Sequence, residues 1–88
     1  MIFISLVKSR EKPTKEALAL FTKWFEDAKK KGIKIMRLYW TLGRYDGVII
    51  FEAPSEKDAM KLLSDVRDGT TTETMVAVSR EDAIKMFE

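Results

Sequence analysis

Tyr39, Arg44, Tyr45 and Asp46 fall within eight consecutive residues, gathered around Gly43. An arginine guanidinium is a forked donor suited to a carboxylate or phosphate. A phenol or a carboxylate beside it could hold or move a proton. Arg37, two residues before Tyr39, could add a second cation, and the run Thr70-Thr71-Thr72-Glu73-Thr74 could contribute hydroxyls to a bound ligand. The candidate ligand-binding set is therefore Arg37, Tyr39, Arg44, Tyr45, Asp46, Thr72 and Thr74, and no catalytic residue is assigned. Each has a plainer reading. Arg44 and Asp46 suit a tight turn, the tyrosines suit a subunit seam, and a threonine-rich strand suits an exposed sheet edge.

Composition narrows the chemistry. The 88 residues contain no His, Cys, Asn or Gln. Triads built on histidine, thiol nucleophiles and the strongest zinc or copper ligands are thereby excluded. The carboxylates are scattered without the spacing of a calcium loop, and the four glycines are isolated rather than grouped as a phosphate-binding loop. No metal and no cofactor are expected. Charged residues make up 34% and the missing amides and thiols resemble proteins from hot-growing organisms. A net charge of +2 announces neither a nucleic-acid nor a membrane partner. Lys29-Lys30-Lys31 reads as the solvated C-terminus of a helix, where cations offset the macrodipole. Apolar runs such as Val48 to Phe51 are far shorter than the ~20 residues of a membrane span. The opening run Ile2 to Val7 lacks the basic region and cleavage site of a signal peptide, so a cytoplasmic setting is expected.

The elements that must position these residues follow from periodicity. Ile2–Val7 is strand-like. After a charged loop closed by Pro13, Thr14 caps a helix in which Ala17, Leu18, Phe21, Trp24, Phe25 and Ala28 recur at helical spacing up to Gly32. Extended runs cover Ile33–Thr41 and Asp46–Ala53. Ser55 with Asp58 opens a second helix carrying Ala59, Leu62, Leu63 and Val66, ended by Gly69. Thr70–Val78 is a fourth strand, and Ser79 with Asp82 starts a short helix bearing Ile84 and Phe87. The order βαββαβ plus a C-terminal helix predicts an α+β, ferredoxin-like single domain over residues 1–88, with one four-stranded antiparallel sheet and both long helices on one face.

The hairpin admits two turns. Asp46-Gly47 suits type I′ and Gly43-Arg44 suits type II′. The second pairs Leu38 with Ile49, Met36 with Phe51 and Trp40 with Gly47 on one apolar face. The first would bury Arg44 opposite Ile49, which an unpaired guanidinium opposes. With Gly43-Arg44 as the turn, Trp40, Leu42, Ile49 and Phe51 belong to the helix-side core. Ile35, Arg37, Tyr39, Thr41, Val48, Ile50 and Glu52 form the other face, with Arg37 diagonal to Glu52. Ile2, Ile4 and Leu6 add apolar side chains to a sheet that is apolar on both sides. A sheet with one face in water alternates more cleanly. The expected cover is a second copy of the same sheet across a twofold axis, making the protein its own partner as a homodimer or larger ring.

The segment Tyr-Trp-Thr-Leu-Gly-Arg-Tyr-Asp at 39–46, the following Val-Ile-Ile-Phe-Glu-Ala-Pro, Thr72-Glu73-Thr74 and the later Ser-Arg-Glu-Asp resemble the GYD domain family over nearly the whole chain. Here Arg44 separates Gly43 from Tyr45-Asp46. The resemblance implies a dimeric α+β barrel and no particular activity. Two readings stay open. One is a small homo-oligomeric domain binding a small anionic or aromatic ligand in the barrel cavity. The other is a cofactor-free enzyme of the same architecture, such as an oxygenase or isomerase. An RNA-binding module shares the element order, but its base-stacking positions hold Asp46 and Val48 here, so no nucleic-acid partner is expected.

Overall fold

The computed structural model describes residues 1–10, 14–65 and 69–88. It runs β1 (Ile2–Ser9), α1 (Lys15–Lys30), β2 (Lys34–Trp40), β3 (Gly47–Glu52), α2 (Glu56–Ser64), β4 (Thr70–Ala77) and α3 (Arg80–Met86). The four strands form one antiparallel sheet in the order β2-β3-β1-β4, the ferredoxin-like arrangement expected from the element order. Pro13 and Val66, read above as a loop closure and a core position, lie outside the described residues.

The helices start where capping chemistry allows. The Thr14 hydroxyl accepts the Ala17 N–H at 3.0 Å, and Ser55 and Ser79 accept from Asp58 and Asp82 at 3.3 and 3.1 Å. Gly32 ends α1 at φ +81°, the left-handed geometry a helix stop favours. α2 closes earlier than the sequence suggests, at Ser64 with Asp65 as its C-cap.

β1 lies at the centre of the packing. Phe3, Ser5 and Val7 are buried beneath the helices, while Ile2, Ile4 and Leu6 are half-buried on the opposite, open face. Phe3 stacks on Phe51 of β3 with ring centroids 5.3 Å apart. Ile33, Ile49, Leu62 and the small residues Ala28 and Ala59 complete that core, and Trp24 packs against its edge. The Trp24 indole N–H also donates to the Leu62 carbonyl at 3.3 Å, a second donor to a carbonyl that already accepts the Asp65 N–H at the end of α2. Ser5 is the one buried polar residue among those described, and its hydroxyl pairs with Thr74 at 3.0 Å. That pair removes the penalty of an unpaired hydroxyl.

The hairpin keeps the register expected for a bend at Gly43-Arg44: Leu38 faces Ile49, Tyr39 faces Val48 and Trp40 faces Gly47. Gly43 has φ +105°, and the loop closes with Thr41 N–H donating to the Asp46 carbonyl at 3.0 Å. Three expectations fail here. A bulge between Ile35 and Arg37 pairs Ile35, not Met36, with Phe51, so Ile35 joins the helix-side core and the alternation flips. Arg37 keeps its expected place opposite Ile50, diagonal to Glu52, but Lys34 now stands directly opposite Glu52 and the Arg37 guanidinium donates to the Met36 carbonyl at 2.9 Å. The end of the hairpin is open rather than core. Leu42 is exposed, and Trp40, although on the helix side and edge-on to Phe21 at 6.1 Å, remains 56% exposed. Residues at an edge strand's tip have a neighbouring strand on one side only. α3 likewise buries none of its residues.

A methyl group at Gly43 would meet nothing within 4 Å. Any cost of Gly43→Ala therefore comes from the backbone. Urea denaturation should show a loss of about 1 kcal/mol or more from the left-handed φ alone.

Candidate functional site

β1, β4 and the β2–β3 loop meet at one end of the open sheet face. Leu6 stands opposite Glu73 and Lys8 opposite Thr71, so strand register alone sets these four side chains on the open face. The loop is stitched down beside them. Asp46 N–H donates to the Val7 carbonyl at 2.8 Å, and the Asp46 carboxylate accepts the Ser9 N–H at 2.8 Å. Thr41 Oγ1 donates to the Tyr45 carbonyl at 2.7 Å, and the Lys8 ammonium donates to the Arg44 carbonyl at 3.2 Å. Thus anchored, Tyr45 reaches across β1 and its phenol donates to Glu73 Oε2 at 2.7 Å. The Arg44 guanidinium lies 5.7 Å from the centre of the Tyr45 ring, within cation–π range.

Leu6, Lys8, Arg44, Tyr45, Thr71 and Glu73 bound a pocket of ≈ 330 Å³, whose remaining wall is Thr72. It holds two cations against one carboxylate, with the Tyr45 ring and Leu6 as apolar surface. The hydrogen bond to Glu73 raises the Tyr45 pKa above its ordinary 10.0, with burial and the Glu73 charge acting in the same direction and Arg44 opposing them. Losing the phenolic proton would break a bond to a carboxylate and place two anions side by side. Stability from this shift is complete below the ordinary tyrosine range and declines as pH rises through the folded-state value.

The structure brings together Arg44 and Tyr45 of the expected set; Thr72 borders the pocket but stands opposite Val7, at a helix-side register position. Arg37 and Tyr39 share the open face but sit on β2, the opposite edge strand, away from the pocket lining. Asp46 is occupied in tying the loop to β1. Thr74 is paired with Ser5 on the helix side. The sequence reading missed Leu6, Lys8, Thr71 and Glu73. Two signals could have found them: Lys8 continues the Ile2-Ile4-Leu6 alternation, and Glu73 is the one charged residue of β4. Among the described residues no group of three or more acidic side chains could hold a metal ion.

Glu73→Gln removes the charged acceptor of the phenol. In a Tyr39→Phe background, tyrosinate absorbance during an alkaline titration should then report Tyr45 ionising at lower pH than with Glu73 present. An unchanged midpoint would contradict the pairing.

Among the described residues no helix is long and apolar enough to cross a membrane. No curated protein matches the chain. The family model described as GYD domain matches residues 3–87, nearly the entire length. Apart from Ile2, the ladder, loop and helices described above fall within that match, and the chain belongs to the GYD domain family.

Proposed function

We propose that this GYD domain is a homo-oligomeric binding protein that takes a small anionic ligand, aromatic or otherwise, in the pocket at the end of its open sheet face. The observation that carries this reading is the pairing of Lys8 and Arg44 beside the Tyr45 ring. Two cations outnumber the Glu73 carboxylate, so the local field favours an anion, and the ring and Leu6 offer an apolar wall to the rest of the molecule. The pocket is open to solvent in one protomer. In the proposed assembly a second copy stacks on the face that carries it. That face presents Ile2, Ile4, Leu6, Val48 and Ile50 half-buried and Tyr39 and Met75 exposed, an apolar surface of the kind that marks an interface. A cytoplasmic setting accords with the absence of cysteine.

The Tyr45–Glu73 hydrogen bond favours a second reading, a cofactor-free isomerase or oxygenase in which that pair manages a proton. Binding is preferred because the pair lies in an open hollow rather than in an enclosed cavity, and Arg37, Tyr39 and Asp46 do not join it.

Native mass spectrometry of the purified protein should show dimers or larger rings at micromolar concentration, with a co-purifying small acid. Titration with benzoate as probe should show binding that weakens about 10-fold or more in Arg44→Ala and in Lys8→Ala, the loss expected for one charge-assisted hydrogen bond. Their melting temperatures should stay near that of the parent, since both side chains are exposed. Equal benzoate affinity in parent and variants would overturn the assignment of the pocket.

A further inference from the structure

α3 is a short amphipathic helix that buries none of its residues. Ser79 caps it, Glu81 and Asp82 occupy its first turn and Lys85 its last, all favourable to the helix dipole. At 100° per residue, Ala83, Ile84, Met86 and the C-cap residue Phe87 share one side with Arg80, while Glu81, Asp82 and Lys85 share the other. None of the apolar four is buried. Ile84 is 41% exposed, Met86 68% and Phe87 86%. A seven-residue helix is well below the ~12–15 residues at which even good helical sequences become marginal alone in water. Burial of the apolar side would supply the missing stability, and Met86 and Phe87 find little cover among the described residues of the protomer.

Two observations name the missing surface as a second copy of this chain. The first is continuity. α3 follows directly from β4, whose last residue Ala77 pairs with Ile2 at the end of the open face. The second is area. Four strands of six to eight residues, about 4.8 Å apart, make a face about 20 by 24 Å, or roughly 500 Å² per copy before side-chain relief. Stable interfaces bury ~1,200–2,000 Å² in total. Two such faces reach the lower end of that range at best, whereas Phe87 alone can add about 150–250 Å² from each copy.

We propose that α3 is the clasp of the homodimer: each copy extends it to the other and lays Ile84, Met86 and Phe87 against the margin of that copy's open sheet face. Tyr39 on β2 and Met75 on β4 are the exposed apolar residues at the two margins and are the natural seats. The clasp rests on the face-to-face dimer proposed above. It adds a requirement to it, since the sheet face without α3 is too small to hold two copies together tightly.

The test compares three proteins by sedimentation over a concentration series: the full chain, a chain ending at Ser79, and full-length Ile84→Glu with Phe87→Glu. The full chain should dimerise, and both variants should dissociate at concentrations about 100-fold higher or more, the change expected from losing two large buried side chains per copy. Amide exchange in residues 80–87 of the full chain should slow as concentration rises. Variants that dimerise as tightly as the full chain overturn the clasp and leave the sheet dimer standing. So does α3 protection that is independent of concentration, which would place the helix on its own protomer. A full chain that stays monomeric throughout overturns the dimer and the clasp together.

Discussion

A central strand that is apolar on both sides obliges the sheet to be covered twice. β1 meets that description: Phe3 and Val7 point to the helices, and Ile2, Ile4 and Leu6 point away. α1 and α2 cover the first side and bring the core with them. Among the described residues neither α1 nor α2 covers the second, and α3 buries none of its residues. The remaining architecture follows from this asymmetry. β3 and β4 flank β1 in register and share its division between faces, so the half-buried Val48 and Ile50 and the exposed Met75 extend the uncovered surface. Lys8, where the alternation of β1 turns polar, marks the place where that surface becomes a pocket.

The pocket owes its geometry to structural residues rather than to the groups that would touch a ligand. Asp46 uses its N–H, its carbonyl and its carboxylate on three residues of two segments, Val7 and Ser9 of β1 and Thr41 of its own loop. Each bond is ordinary in strength, near 1 kcal/mol net. Together they fix the direction in which the next residue back, Tyr45, leaves the chain. Tyr45 can then span β1 and meet Glu73 without being buried. An aspartate that looks available for proton transfer in the sequence is thus the residue that aims the neighbouring phenol.

Element order, caps and the hairpin register were legible because each rests on local chemistry: Ser or Thr before an apolar period, a glycine at a positive φ, an arginine that resists burial opposite Ile49. The bulge at Ile35–Arg37 was not. It inserts one residue into an otherwise regular alternation, and only the position of Ile33 and Ile35 over the core reveals it. The core status assigned to Trp40 and Leu42 failed for a related reason. Face can be read from parity, but coverage depends on where the helices lie over an edge strand. The site was half legible. Arg44 and Tyr45 stand out by type, whereas Lys8 and Glu73 acquire meaning only through the β1–β4 pairing, between residues more than sixty positions apart.

The two tryptophans occupy opposite regimes of the same helix-side surface. Trp24 is half-buried, with its indole N–H bonded to the Leu62 carbonyl across α1 and α2. Trp40 stands largely in water at the hairpin's end, against the edge of Phe21. The chain therefore carries two built-in optical reporters of different events. Emission from Trp24 follows the docking of one helix on the other, and emission from Trp40 follows the closing of the hairpin against α1. With one replaced by phenylalanine, the other resolves in time which half of this small domain assembles first.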